Sequence, residues 1–255
     1  MIKIENTEVV GWEHAIRGMR NPMNSWDKSD SEFVRDPDYG CSGNCPCEDI
    51  NGHCDCCFIG SNDLDLMKRL RNAGTDHRKF MRMITVYVDI TAPLYWWKEF
   101  KTYRAGRRFG DDEPDIIDAG YFECDIETNS CSTMHKIHDK EFTIDDFSHE
   151  HLFDRYGDPS MNLNYGYKYP KAVMQDLIDI LNNYRFWYNE TKDKKYWWQM
   201  IQLLPSSYNQ KRTVMLNYEV LANIYKSRKN HKLDEWKDFC KWIESLPYSE
   251  LITGD

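Results

Sequence analysis

A strict alternation of side chains at residues 84–90 limits the fold more than any other part of the sequence. The run Ile-Thr-Val-Tyr-Val-Asp-Ile places an aliphatic residue at every second position, which is typical of a half-buried β-strand. Thr91 and Pro93 follow directly, and these residue types favour the N-cap and the first turn of a helix. The sequence therefore predicts a strand that passes straight into a helix.

The C-terminal half of the sequence predicts helices. Apolar residues recur there with helical spacing in three stripes, namely Val173, Leu177, Ile180, Leu181 and Tyr184; Leu216, Val220, Leu221, Ile224 and Tyr225; and Leu233, Trp236, Phe239, Cys240 and Ile243. A further helix is expected from an N-cap at Asn62 to Gly74. Together with the strand, these stripes predict a helix-rich α/β fold with a central antiparallel or mixed sheet, in a single domain over residues 1–255.

Composition excludes several classes of protein. The 255 residues are 41% hydrophobic and 14% aromatic, which is ample for a buried core. The net charge of −9 disfavours a nucleic-acid polymer as partner, since such binders need a basic face. No apolar run is long enough to span a membrane, and the N-terminus does not resemble a secretory signal. We therefore expect a cytoplasmic location.

Two polar segments interrupt the pattern and are interpreted as insertions, one at about 38–59 and an acidic one at about 105–128. The first contains six cysteines, which are Cys41, Cys45, Cys47, Cys54, Cys56 and Cys57. Thiolates bound to zinc would fold a segment this poor in apolar residues. The spacing differs from that of a zinc ribbon, so free thiols and disulfides stay open as alternatives.

Three segments carry a resemblance to a known family. They are DHRKF at 76–80, ITAPLYWWKEFKTYR at 90–104 with NSCSTMHK at 129–136, and the long run LPSSYNQKRTVMLNYEVLANIYKSRKNHKLDEWKDFCKWIESLP at 204–247. In this order they resemble the flavin-dependent thymidylate synthases. The resemblance covers roughly half of the chain.

The resemblance implies a homotetramer that binds FAD and a pyrimidine nucleotide such as dUMP. A methylene group from methylenetetrahydrofolate would reach C5 of the nucleotide, with NADPH as the source of the hydride. It further implies catalytic roles for Ser132 and Arg228. The nucleotide- and cofactor-binding residues that it implies are His77, Trp97, Tyr103, Arg104, Asn129, His135, Lys136, Tyr208, Arg212 and Asn217.

The sequence also departs from the family pattern at cationic positions. The family's first Arg-His-Arg triplet falls on Phe100-Lys101-Thr102 or, with a shift of two, on Thr102-Tyr103-Arg104. The arginine two residues after Ser132 is replaced by Met134, and the arginine of the family's Asn-x-Arg at a helix start is replaced by Glu219. A non-catalytic nucleotide-binding or interaction protein on the same scaffold is therefore the alternative.

Overall fold

The fold was established from a computed structural model, which describes residues 2–33, 57–100, 102–103, 126–154 and 168–254. Within these residues the chain forms six strands, and their bounds are β1 Lys3–Val10, β2 Glu32–Phe33, β3 Cys57–Phe58, β4 Thr85–Pro93, β5 Glu127–Ser130 and β6 Asn209–Asn217. Four of them form an antiparallel sheet with the order β1-β4-β6-β5, and β2 pairs with β3. The predicted central sheet is confirmed.

Helices dominate the described residues, as the sequence predicts. Their bounds are α1 Trp12–Arg20, α2 Ser61–Asn72, α3 Leu94–Phe100, α4 Pro170–Thr191, α5 Lys194–Leu203, α6 Tyr218–Arg228, α7 Asp234–Glu244 and α8 Glu250–Thr253. The described residues also form four short 3-10 helices, at Asn21–Met23, Trp26–Lys28, Arg78–Met83 and Ile144–Asp146. No helix among the described residues is long and apolar enough to cross a membrane.

The alternation that predicts the central strand is confirmed by the burial of β4. Val86, Val88 and Ile90 are buried, whereas Tyr87 between them is exposed. The strand also extends further than predicted: Thr91 and Pro93, which the sequence assigns to the start of the helix, belong to β4.

Helix α3 begins at Leu94, directly after Pro93. Its first backbone N–H groups form hydrogen bonds, although Thr91 does not cap the helix. The backbone N–H of Leu94 donates to the carbonyl of Tyr208 at 3.0 Å, and that of Tyr95 donates to the carbonyl of Ser206 at 3.0 Å. The segment before β6 thus satisfies the donors that a capping side chain would otherwise bind.

The structure divides into two compact units. The sheet unit comprises residues 2–90, 99–129 and 212–255, and the hairpin unit comprises residues 91–98 and 130–211. The prediction of a single domain over 1–255 stays a prediction.

In the sheet unit, aromatic side chains from the N-terminal and C-terminal helices form much of the core. The rings of Trp12 and Tyr218 meet edge to face at 5.3 Å, and the hydroxyl of Tyr218 donates to the carbonyl of Pro247 at 2.6 Å. Gly11, with φ of +96°, precedes α1, and a Cβ atom there would lie 2.1 Å from the carbonyl oxygen of Met83. Only glycine suits that position, for steric as well as conformational reasons.

Helix α2 of the sheet unit begins differently from the sequence prediction. The predicted N-cap Asn62 lies within the helix, which starts at Ser61 after Gly60. The carboxylate of Asp30 accepts hydrogen bonds from the backbone N–H groups of Asn62 at 2.9 Å and Asp63 at 3.1 Å. A carboxylate distant in sequence therefore caps α2, which local sequence patterns do not indicate.

The hairpin unit is built on α4 and α5, which pack against each other. Its core consists of Ile137, Phe142, Phe147, Ile178, Leu181 and Met200. The predicted apolar stripe of α4 is correct for Leu181 but wrong for Val173 and Ile180, which are 52% and 44% exposed. Ile178 is buried instead, so the inward face of α4 is rotated from the predicted stripe.

Candidate functional site

Arg228, the last residue of α6, lies in a group of four side chains that we call the Arg228 cluster. The group comprises Glu99, Tyr103, Arg228 and Trp236, all in the sheet unit. The Nη2 of Arg228 forms an ion pair with Oε2 of Glu99 at 2.8 Å, and its Nε donates to the hydroxyl of Tyr103. The guanidinium carbon lies 4.8 Å from the ring centre of Trp236 and 5.4 Å from that of Tyr103.

The apolar stripes of α6 and α7 position this cluster. Ile224 of α6 and Trp236 and Phe239 of α7 are fully buried. Phe100 at the end of α3 meets the ring of Phe239 edge to face at 5.7 Å. These buried side chains pack α6 and α7 against the end of α3, which places Arg228 within reach of Glu99 and Tyr103.

A second charged group, which we call the Glu219 cluster, lies at the other end of α6. It comprises Arg78, Arg82, Glu219 and Asn223, and Glu219 is fully buried. The Nε of Arg78 donates to Oε1 of Glu219 at 3.1 Å, and the Nε of Arg82 donates to the other carboxylate oxygen. The Nη2 of Arg78 also lies 3.4 Å from Oδ1 of Asn223. A buried carboxylate is costly unless paired, and here it is paired twice.

Asn217 provides the N-cap of α6 next to the Glu219 cluster. Its Oδ1 accepts a hydrogen bond from the backbone N–H of Val220 at 3.0 Å. This bond satisfies one of the free donors at the helix start. The sequence assigned Asn217 to nucleotide binding, and the structure shows a side chain that is engaged with its own helix.

In the hairpin unit, Gln210 brings together residues that are distant in sequence. The indole Nε1 of Trp97 donates to the carbonyl of Gln210 at 3.0 Å, and the Nε2 of Gln210 donates to the carbonyl of Cys131 at 2.6 Å. Trp97 is buried at 1% exposure. This arrangement holds the segment that contains Ser132 beside β6.

Tyr208 packs in the same unit, beside the rings of Phe147 and Phe142 at 5.7 and 6.4 Å. Burial, together with the negative charges of Asp146 and Cys131, raises the pKa of Tyr208 to about 12. The phenol is therefore a neutral hydrogen-bonding group at neutral pH.

Ser132 closes a turn of the hairpin unit. Its Oγ accepts hydrogen bonds from the backbone N–H groups of His135 at 2.8 Å and Met134 at 3.2 Å. Ser132, His135 and Lys136 are all exposed, and Lys136 pairs with Asp139 at 3.3 Å. The structure thus brings these three predicted residues together on one exposed turn.

The other predicted residues lie apart from these groups. His77 is exposed, just before the 3-10 helix that carries Arg78, and Asn129 is exposed on β5. Arg212 is buried in β6, and burial lowers the pKa of its guanidinium. Arg104 lies outside the described residues.

The proposed zinc site also falls outside the described residues. Cys41, Cys45, Cys47, Cys54 and Cys56 are not described, and only the backbone of Cys57 is, as part of β3. Within the described part of the chain, no three His, Cys, Asp or Glu side chains are grouped so that they could hold a metal ion. Zinc in the cysteine segment stays a prediction.

Solved structures are similar to this chain over its whole length. A crystal structure of the flavin-dependent thymidylate synthase ThyX from Helicobacter pylori, complexed with FAD and dUMP, superimposes with a TM-score of 0.59. The two sequences are 15% identical, and the match covers 99% of this chain and 98% of the H. pylori chain. This chain has the ThyX fold. A second structure of ThyX from the same organism with FAD and dUMP gives a TM-score of 0.59 at 14% identity, covering 100% and 98%.

The likeness to ThyX is one of fold, since the identity is low. No protein-family model matches the sequence, and no curated protein matches it. The expected α/β fold is confirmed, including its agreement with ThyX.

Sequence reasoning missed several residues that the structure places in these groups. Glu99 and Trp236 complete the Arg228 cluster, and Arg78 and Arg82 surround Glu219. An acid in the first turn of a helix is usually explained by the helix dipole, so the sequence gives no signal that Glu219 is buried between arginines. The identity of its partners depends on tertiary packing.

Proposed function

We propose that this chain is a ThyX-like enzyme that binds FAD and a pyrimidine deoxynucleotide and methylates C5 of the pyrimidine reductively. The observation that carries the proposal is the ThyX fold over essentially the full length of both chains. The solved structures that share the fold are complexes with FAD and dUMP.

The proposed reaction replaces the hydrogen at C5 of dUMP by a methyl group. Methylenetetrahydrofolate supplies the one-carbon unit, and the C5 proton is released to water. FAD, when bound and reduced by NADPH, supplies the hydride that completes the methyl group. The products are the methylated nucleotide, tetrahydrofolate and NADP⁺.

The described residues fit such ligands through their cations and hydrogen-bonding groups. A nucleotide phosphate or a flavin pyrophosphate requires guanidinium or ammonium donors. Arg228 and the exposed Lys136 are the candidates that the sequence already indicated, with Arg228 held in a fixed orientation by Glu99 and Tyr103. Within the hairpin unit, Ser132 and Tyr208 carry neutral hydroxyl groups that can bond to a base or a phosphate.

The test is release of tritium from dUMP labelled at C5. Purified protein is incubated with FAD, NADPH and methylenetetrahydrofolate, and tritiated water and thymidylate are measured. The proposal expects tritium release that requires all three additions, together with a flavin absorption band on the protein. The variant Arg228→Gln should lose activity. Its matched control is Arg17→Gln, which alters an exposed arginine of α1 and should keep activity. Failure to bind either FAD or dUMP contradicts the proposal.

A non-catalytic nucleotide-binding protein on the same scaffold is the second candidate, favoured by a specific observation. Arg228 is already paired with Glu99, and Arg78 and Arg82 are already paired with Glu219. Three arginines are thus held by acids of the chain itself. This candidate expects dUMP binding without tritium release, whatever cofactors are added.

A further inference from the structure

The Glu219 cluster contains more cationic hydrogen-bonding capacity than its carboxylate requires. Glu219 is 0% exposed, and a single arginine in fork geometry would satisfy both of its oxygens. Instead two arginines donate to it through Nε, Arg78 to one oxygen and Arg82 to the other. The carboxylate therefore leaves the terminal nitrogens of Arg78 to other acceptors.

Arg78 shows what those terminal nitrogens meet. One contact, from Nη2 to Oδ1 of Asn223, is long at 3.4 Å. No nitrogen of Arg78 is among the buried atoms that lack a partner, so its remaining N–H groups face solvent. The side chain is 20% exposed although its Nε is fixed on a buried acid. The bond to Glu219 thus sets the orientation of the guanidinium. Its terminal nitrogens form an outer edge that faces solvent.

We propose that the outer edge of Arg78 is an anion subsite for a phosphate or pyrophosphate group, with Glu219 as its positioning residue. The planar edge of an arginine matches two oxygens of a phosphate, which a lysine cannot copy. Holding the guanidinium in advance removes the cost of ordering a long side chain when the anion binds.

The identity of the anion rests on the proposed function, since both the nucleotide phosphate and the flavin pyrophosphate have the required chemistry. Two pairs of ligands distinguish these sources. FAD is compared with riboflavin, and dUMP with deoxyuridine, because the second member of each pair lacks phosphate. Inorganic pyrophosphate serves as a probe that does not depend on either ring system.

The experiment is a binding titration of these five ligands to wild-type protein, Arg78→Gln and Arg17→Gln. We expect Arg78→Gln to weaken pyrophosphate, and either FAD or dUMP, by ten- to hundredfold. Riboflavin and deoxyuridine should bind unchanged, and Arg17→Gln should behave as wild type. Equal affinities of wild type and Arg78→Gln for every phosphate overturn the inference, as does wild-type protein that binds no pyrophosphate.

A second measurement uses wild-type protein and therefore does not depend on whether the Arg78→Gln variant folds. Wild-type protein is treated with phenylglyoxal, which modifies accessible arginines, and modification is mapped by peptide mass spectrometry. Pyrophosphate should protect Arg78 and leave Arg17 reactive, whereas equal modification with and without pyrophosphate overturns the inference. Protection by pyrophosphate without any FAD or dUMP binding would keep the anion subsite and contradict the proposed function. FAD or dUMP binding that does not depend on Arg78 would contradict the anion subsite and leave the proposed function in place.

Discussion

Arg228 lies beside a second residue that the family resemblance names. The sequence named both Arg228 and Tyr103, and the structure joins them by a hydrogen bond. Glu99 and Trp236 add an ion pair and an aromatic face to the same guanidinium. These two partners come from α3 and α7, so no local sequence pattern relates them to Arg228.

A first prediction concerns the geometry of Arg228. In Arg228→Lys the charge remains, but one ammonium cannot bond Glu99, Tyr103 and a phosphate in planar fork geometry. The affinity for dUMP should fall ten- to hundredfold, about 1.5–3 kcal/mol. Isothermal titration calorimetry measures this, with Arg17→Lys as the control. An unchanged dissociation constant in Arg228→Lys would remove Arg228 from the nucleotide site.

A second prediction concerns Tyr208, whose pKa is raised to about 12. The unfolded chain ionises this phenol near pH 10, so the unfolded state releases the proton first. The stability from neutral Tyr208 is thus complete below pH 10 and is lost as the pH rises from about 10 to about 12. Wild type should therefore lose more stability than Tyr208→Phe between pH 9.5 and 11.5 in urea unfolding. Parallel losses in the two proteins would show that Tyr208 titrates normally.

At the scale of single elements, α2 depends on a buried carboxylate. Burial by itself would raise the pKa of Asp63, but hydrogen bonds from Ser31, Ser29 and Arg20 outweigh it and lower the pKa below 3.8. The Nε of Arg20 lies 2.6 Å from Oδ1 of Asp63, and both side chains are buried. This network joins α1 to α2 and to the segment before β2.

A third prediction tests that network with two aspartates of one helix. Asp63→Asn leaves Arg20 buried without its charge partner and should cost about 3–5 kcal/mol at pH 7. Asp65→Asn, at an exposed position of α2, is the matched control and should cost little. Because the folded pKa of Asp63 is depressed, its contribution is present above pH 3.8 and is lost as the pH falls below that value. Urea unfolding should show the gap between the variants narrowing toward pH 3.

A fourth prediction concerns the start of α6. Asn217→Ala removes the bond from Oδ1 to the N–H of Val220 and should cost about 1 kcal/mol. For a chain of this size that lowers Tm by roughly 2–4 °C. Asn217→Ser retains a capping oxygen and should recover most of the loss. A Tm equal to wild type in Asn217→Ala would show that packing alone holds this helix end.

The elements differ in how well the sequence predicted them. The strand β4 and the buried faces of α6 and α7 are confirmed, because the residues on one side of a regular element face the core together. The exception is Leu216, which the sequence predicts in the stripe of α6 but which belongs to β6. The stripe of α4 is wrong at Val173 and Ile180, which face solvent. Apolar residues of α4 occur on several of its sides, so the packing against α5 determines which side is buried.

At the scale of the whole molecule, the tetramer stays a prediction. The resemblance implies sites built across subunits, and the chain mass is 30.5 kDa. Light scattering at micromolar concentration should therefore give about four times this mass. A mass near 30.5 kDa, unchanged by FAD or dUMP, would count against a composite site.

The ThyX-like fold was predictable from sequence, whereas the arrangement of its charges was not. Hydrophobic periodicity reports which faces of a strand or helix avoid water, and that information is local in the chain. It therefore determined the strand at 84–90, the C-terminal helices and the α/β class. The pairing of Arg78 and Arg82 with Glu219, of Asp63 with Arg20, and of Arg228 with Glu99 joins residues 43 to 141 positions apart. Only tertiary structure decided these pairs, because a buried charge is stabilised by whichever opposite charge the packed elements bring within reach.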